Sequence, residues 1–273
     1  MLDFKSALSY RDERPAVSGF IGVDDYGVLT HFELNETQPH AIIGGQTGAG
    51  KTTVLYDLLM SALVNTTPDK LQLVLIDGKG NSFEVMKGLP FMLQDPVDGS
   101  ANHNTASFII LAMSLTLKLR QKRLRTQHMS SLSEYNKIAI EKLPEILIVV
   151  DELSAITHMI KDKTEHRQLV DNLVTIAKYG RQVGLHLIIS NQNVTGRYGL
   201  PKELLSTIPD YIGMRTASQG DSDKLTRNSK YANLEQMTKP GQFYYHGRQG
   251  QALAFKDEDV RDVVDDIRRH YTN

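Results

Sequence analysis

The fold the sequence predicts is α/β, a mostly parallel sheet with helices covering both faces, and three observations predict it. Short aliphatic runs recur at 41–43, 71–77, 146–150 and 185–190. Each is too short for a buried helix and nearly unbroken in apolar character, as strands covered on both sides are. Stretches with apolar residues at helical spacing alternate with these runs, which is the pattern of βαβ units. Finally, Gly45-Gln46-Thr47-Gly48-Ala49-Gly50-Lys51-Thr52 joins the first run to a helix-compatible stretch and completes the spacing GxxxxGK[ST]. A strand before such a loop and a helix after it are the context that gives the spacing a meaning.

Taken in order, residues 18–23 and 28–34 read as a hairpin around Asp24-Asp25-Tyr26-Gly27, a β-rich lead-in occupying 1–38. After the glycine loop, Val54, Leu55, Leu58, Leu59, Ala62 and Leu63 mark one helix face up to Asn65, and Pro68 stops the element. Strand 71–77 follows, closed by Gly78-Lys79-Gly80. A long helix spans about 105–127, with Phe108, Leu111, Ala112, Leu115 and Leu119 as its packed side and a basic second half of Lys118, Arg120, Lys122, Arg123 and Arg125. Run 146–150 is nearly all β-branched and reads as a central strand ending in Asp151-Glu152. A helix over 167–179 leads to strand 185–190, which ends at Asn191-Gln192, and a fifth strand covers 211–216. Strands at 242–246 and 251–255 flank Gly247-Arg248-Gln249-Gly250 as a second hairpin. A closing helix starts from an N-cap at Asp257 and turns Val260, Val263, Val264 and Ile267 inward. The expectation is one domain over 1–273, with a core at 39–256 and the closing helix at 257–273; no internal repeat or low-complexity linker interrupts it.

Composition narrows the function classes. The 273 residues carry a formal net charge of −1, so no global basic excess points to nucleic acid or anionic lipid, and a DNA contact has to come from a local patch. With no cysteine, disulfides, thiolate metal sites and cysteine nucleophiles are excluded, which fits a reducing compartment. Met1-Leu2-Asp3-Phe4-Lys5 lacks a signal-peptide pattern, and no apolar run approaches the roughly 18 residues that span a bilayer. A cytoplasmic protein without a membrane span of its own is expected. The nine histidines show no metal-ligand spacing, and His40 reads as structural.

The chemistry concentrates at strand ends. In the glycine loop, backbone N–H groups turn toward one anion, and the next helix adds its positive end. Gly45, Gln46, Thr47, Gly48, Ala49, Gly50, Lys51, Thr52 and Thr53 are therefore the expected ATP-binding residues, with Lys51 on the β- and γ-phosphates and the Thr52 hydroxyl on Mg²⁺. Four apolar residues and then Asp151-Glu152 make a Walker B element: Asp151 for the metal, Glu152 to polarise the attacking water. Gln192 ends the next strand, within reach of the γ-phosphate or that water. Asp77 either joins the site or caps its own turn. The basic stretch 118–125 is a solvated helix face or a subunit interface. Arg120, Arg123, Arg181 and Arg215 are the candidates for an arginine finger offered to a neighbour. Lys79, Arg197 and Lys202 lie in loops, where they are ordinary exposed cations or contacts to a threaded polymer.

Several ordered segments together resemble the FtsK/SpoIIIE motor family. Gln38-Pro39-His40 is similar to its Pro-His lead-in, Leu75-Ile76-Asp77-Gly78-Lys79 to its strand-Asp-x-Lys segment, and Ser133-Glu134-Tyr135-Asn136-Lys137 to its Tyr-Asn element. The segment from Gly180-Arg181 through His186 to Asn191-Gln192 resembles the Gly-Arg-x-x-Gly-Ile-His strand and its terminal Gln, and Ile208-Pro209 and Asp221-Ser222 fall where the family has those pairs. The resemblance implies a RecA-like P-loop NTPase fold and a homo-hexamer that hydrolyses ATP with Mg²⁺ around double-stranded DNA or a protein substrate. Arg120-Gln121-Lys122 replaces the family's Arg-Arg-Tyr, and Tyr211 stands where its arginine follows Ile-Pro. No winged-helix domain is expected after residue 273. The leading expectation is a DNA translocase of a plasmid, phage or integrative element, working with a membrane-anchored or relaxase partner. The alternative is a protein-secretion motor of the EssC/EccC, type VII branch, which Lys239-Pro240-Gly241-Gln242-Phe243-Tyr244-Tyr245 and Asp77-Gly78-Lys79-Gly80 resemble. A third reading is a regulatory ATPase that moves nothing.

Overall fold

The computed structural model describes residues 3–9, 15–80, 82–197, 199–230 and 232–272. The elements run α1 Phe4–Leu8, β1 Ser18–Asp24, β2 Leu29–Glu33, β3 His40–Gly44, α2 Lys51–Asn65, β4 Leu71–Asp77, β5 Val97–Asp98, α3 His103–Thr126, α4 Leu132–Ile138 and β6 Glu145–Asp151. They continue with α5 Leu153–Met159, α6 Lys163–Tyr179, β7 Leu185–Asn191, α7 Lys202–Thr207, β8 Asp210–Met214, α8 Gln219–Thr226, β9 Gln242–Tyr245, β10 Arg248–Gln251 and α9 Asp257–Thr272. Among the described residues the strands form one ten-stranded sheet in the order β2-β1-β10-β9-β8-β3-β7-β6-β4-β5. The half from β8 to β5 is parallel, and the half from β9 to β2 is joined antiparallel. This is the mostly parallel, two-faced sheet expected, with both hairpins built into it.

Alternation along the central strands explains why both faces are covered. Leu73 and Leu75 of β4, Ile43 of β3 and Leu147 and Val149 of β6 point into a core shared with α1, α2 and α9. Val74 and Ile76, Ile42, and Ile148 and Val150 point into the opposite core, beneath α3, α5 and α6. Each strand feeds both layers, so it reads as an unbroken apolar run. Register then aligns the strand ends: Gly44 lies beside Asn191 and Gly213, and Asp77 beside Asp151. The C-terminal edge of the parallel half thus gathers the residues that follow each strand.

Three local expectations are corrected. In α3 the side read as packed is the outer one. Phe108, Leu111, Leu115 and Leu119 are exposed, while Ala106, Ile109, Ile110, Met113, Leu117 and Leu124 face the core. Two apolar stripes share this helix, and periodicity alone does not choose between them. The second hairpin turns earlier than its glycines suggest. His246 and Gly247, at φ 47° and 83°, form the turn, and Arg248–Gln251 is already strand, as a two-residue hairpin loop with both residues left-handed requires. Asp257 is the first residue of α9 rather than its cap. Val260, Val264 and Ile267 of that helix are buried as expected, and Val263 is partly so.

Candidate active site

The phosphate loop is tied down from three directions. The Gly45 N–H donates to the Asn191 carbonyl (3.2 Å), Gln46 N–H to the Arg215 carbonyl (2.7 Å), and Gly241 N–H to the Ala49 carbonyl (2.7 Å). Gly50 precedes α2 at φ 100°, and a Cβ there would meet the Gly241 backbone nitrogen at 2.5 Å. Both the conformation and the approach demand glycine. No side chain caps α2, so its first N–H groups, which need partners, are left for an anion. Lys51 is buried, 5% exposed, and its Nζ donates to the Gly45 carbonyl at 2.6 Å. Burial lowers its pKa to about 8, opposed by the charge of Glu152 and aided by that of Lys79. An incoming phosphate finds an ammonium whose burial its own negative charge would offset.

Asp151 ends β6 beneath this loop. One carboxylate oxygen accepts from the Ser190 hydroxyl at the end of β7, and the other from the Ser82 hydroxyl at 3.2 Å. Burial raises its pKa, and the Ser190 bond pulls the other way. The next residue, Glu152, adopts φ 55°, ψ 60°, a left-handed conformation costly for a side-chain-bearing residue and concentrated at functional sites. Its Oε1 accepts from Ser154 Oγ (2.9 Å) and the Gln192 N–H (3.2 Å). Its Oε2 lies 3.2 Å from the Lys79 ammonium, an ion pair without aligned hydrogen-bond geometry. Asp77 organises the loop after β4, accepting from the Lys79 N–H at 2.7 Å and from the Ser82 N–H. Gly78 donates to the Asp151 carbonyl at 2.7 Å. The two strand ends are therefore locked together.

Nucleotide and cation fit this set of donors. Lys51 and the free N–H groups of α2 suit phosphate oxygens. The buried Asp151 carboxylate and the exposed Thr52 hydroxyl suit Mg²⁺, which takes one or two protein ligands and completes its shell with phosphate and water. Thr53, partly buried, is one residue further along the helix. Gln192 does stand beside Glu152, though its backbone rather than its amide makes the contact.

The arginine candidates separate in space. Arg120 is buried and donates to the Val183 carbonyl at 2.8 Å, so its guanidinium is used inside its own protomer and is not presented to a neighbour. Arg123 pairs with Glu141 at 3.5 Å and lies over the Tyr135 ring. Arg181 is exposed on the short turn before β7, at the sheet's opposite edge. Arg215 is beside the phosphate loop, its NH1 3.5 Å from the Thr238 carbonyl. Of the expected polymer contacts, Arg197 and Lys202 are exposed, Lys202 as the first residue of α7 rather than in a loop, and Lys79, also exposed, turns its ammonium against Glu152. Ser82, Ser190 and Ser154 were not singled out by sequence. Nothing in the spacing of three serines distinguishes them: Ser154 reaches Glu152 from two residues along the chain, while the register of β4, β6 and β7 brings Ser82 and Ser190 to Asp151.

Comparison with known proteins bears on the family and the fold. The chain is 25% identical over 232 residues to the ESX secretion system protein EccC of Geobacillus thermodenitrificans, covering 82% of this chain and 15% of that protein. It is 25% identical over 246 residues to the DNA translocase FtsK of Chlamydia trachomatis, covering 85% and 30%. The chain thus spans less than a third of the length of either relative. The cytoplasmic domain of the Thermomonospora curvata type VII secretion ATPase EccC superposes with a TM-score of 0.79 at 24% identity, over 100% of this chain and 33% of that one. The pCW3 conjugation coupling protein TcpA, a monomer form with ATPγS, gives 0.70 at 22%, over 94% and 71%. The fold is accordingly that of RecA-like P-loop ATPases. The FtsK/SpoIIIE family model matches residues 4–141, just over half of the 273 residues, and the chain belongs to the FtsK/SpoIIIE family of ATPases.

Proposed function

We propose that this chain is the ATP-hydrolysing module of a ring-forming motor that moves double-stranded DNA. The observation that carries the reading is the convergence of a buried Lys51, an uncapped α2 and the Asp151-Glu152 pair on one sheet edge. Lys51 and the loop N–H groups bind and orient the phosphates. Asp151 and Thr52 hold the cation, which supplies charge neutralisation when bound, and Glu152 takes the proton of the attacking water. The arginine finger falls to Arg123, Arg181 or Arg215, and the exposed Arg197 and Lys202 contact the polymer. FtsK among the relatives and a conjugation coupling protein among the structural neighbours support DNA as cargo.

A protein cargo is the second reading. The EccC relatives favour it, together with the segment 239–245 packed on the phosphate loop through Gly241. ATP turnover with and without long double-stranded DNA, at low and moderate salt, tests the choice. Severalfold stimulation that fades steeply with salt supports DNA, since phosphate contacts release counterions. Turnover indifferent to DNA, yet lost in Lys51→Ala and Glu152→Gln, rejects DNA and moves the protein motor to first place, ahead of a regulatory ATPase that moves nothing.

A further inference from the structure

We infer that Lys79 exchanges partners during the cycle, holding Glu152 in the nucleotide-free protein and passing to the terminal phosphate when nucleotide binds, which frees Glu152 to act on water. The inference rests on the ATPase reading above and adds a positioning residue to it. Glu152 has both carboxylate oxygens engaged, Oε1 by Ser154 and Gln192 and Oε2 by Lys79 at 3.2 Å. With Oε1 accepting twice, Oε2 is the oxygen left for water, and the Lys79 ammonium stands on its side. The Lys79 contact is the one built to break. It is an ion pair without an aligned hydrogen bond, and while the Glu152 side chain is 5% exposed, that of Lys79 is 43% exposed. An anion can approach the ammonium from outside but cannot reach the carboxylate.

The backbone carrying Lys79 is fixed while its side chain is not. Asp77 holds the Lys79 and Ser82 N–H groups, and Gly78 is pressed against the carbonyls of Asp151 and Glu152. Movement is therefore confined to the lysine's own flexible stem. Charge supplies the direction. Without nucleotide, Lys51 and Lys79 face Asp151 and Glu152, two cations against two carboxylates, and Lys79 is near enough to Lys51 to act on it as a like charge. A triphosphate bound between the lysines brings more negative charge than one carboxylate, repels Glu152 and attracts Lys79.

The experiment follows the ¹³C resonance of the Glu152 carboxyl group, assigned by its loss in Glu152→Gln, in wild type, Lys79→Met and Lys79→Arg, each with and without ATPγS and Mg²⁺. The expected result is a resonance that moves on adding ATPγS in wild type and Lys79→Arg. In Lys79→Met it should start displaced toward the loaded position and move less than half as far. Turnover in Lys79→Met should fall by roughly 10²- to 10³-fold, the range for removing one donor aimed at developing charge, with Lys79→Arg within a few-fold of wild type. A wild-type resonance that stays put although ATPγS binds by calorimetry overturns the exchange alone, as does a Lys79→Met protein indistinguishable from wild type. No calorimetric binding of ATPγS by wild type overturns the nucleotide reading and the exchange with it.

Discussion

The two edges of the parallel sheet are built from the same kinds of residue and do opposite things with them. At the C-terminal edge, Lys51, Lys79, Asp151 and Glu152 are held by strained or glycine-dependent backbone, and their charges face one another across incomplete partnerships. At the N-terminal edge, Arg120, Glu145, His40 and His186 form a closed cluster. Arg120 donates to the Val183 carbonyl, the Leu187 N–H donates to His40 Nδ1, and His186 Nδ1 meets the Pro39 carbonyl at 3.0 Å. Burial is similar at both edges. Both edges leave polar atoms without hydrogen-bond partners, Glu152 Oε2 at one and His40 Nε2, His186 Nε2 and Glu145 Oε2 at the other; what separates chemistry from architecture is access, since Lys79 and Thr52 reach solvent beside the carboxylates while both histidine rings are sealed in.

The largest expected effects lie at the open edge. Glu152→Gln keeps the shape and removes the base, so turnover should drop about 10²- to 10⁴-fold with ATP binding retained, and Lys51→Ala should lose both; single-turnover hydrolysis and calorimetry read the two. Unchanged turnover in Glu152→Gln would move the base elsewhere and dissolve the contrast between edges. Gly78→Ala is next. Its Cβ would sit 2.4 Å from the Glu152 carbonyl oxygen and 2.9 Å from that of Asp151, so strand ends must part, at about 1–3 kcal/mol of stability and an order of magnitude in turnover. A thermal midpoint lowered without loss of turnover would show that the strand ends tolerate separation.

The contrast was only half legible in the sequence. Gly45 to Thr52 and Asp151-Glu152 announce themselves because their chemistry is written in adjacent residues. The partners that tune them are not adjacent: Ser190 meets Asp151 across 39 positions, and Lys79 meets Glu152 across 73. Only strand register creates those pairs. The same holds for the fold. The central strands were visible as unbroken apolar runs, while α1, α5 and α7, of 5, 7 and 6 residues, are too short for helical periodicity to register. In α3, two apolar stripes competed, and the face is decided by α6, an element 37 residues further on. His40 and His186, which lie in segments that resemble the family's, and Arg120, an expected arginine-finger candidate, stand together at the other edge.

Arg120→Ala sharpens the separation. It strips the buried Val183 carbonyl of its donor, which should cost about 1–3 kcal/mol while leaving turnover per folded molecule within a few-fold. A stable variant with turnover reduced a hundredfold would instead return Arg120 to the catalytic machinery.

The smallest effect on turnover belongs to a pH dependence of stability seated at the closed edge. Burial holds His40 to about 3 and His186 to about 4, in each case chiefly by desolvation of the charged ring. Both rings are neutral when folded and take up protons when unfolded, near the ordinary histidine value of about 6.5. Between that value and 4 the unfolded chain binds the extra protons, so stability falls as pH falls, by about 1.4 kcal/mol per pH unit for each proton. Glu145, raised to about 7 by burial, acts in the opposite sense from about 7 down to its ordinary value. A third of its side chain is solvated, so its opposition is the weaker. The thermal midpoint should therefore decline from pH 6.5 toward 4.5, and His186→Gln should lower the midpoint at neutral pH while making that decline shallower. A decline equally steep in the variant would show that the buried ring of His186 does not cause it, and Asp151 could not take its place, because a carboxyl whose pKa burial raises acts with Glu145 in the opposite sense.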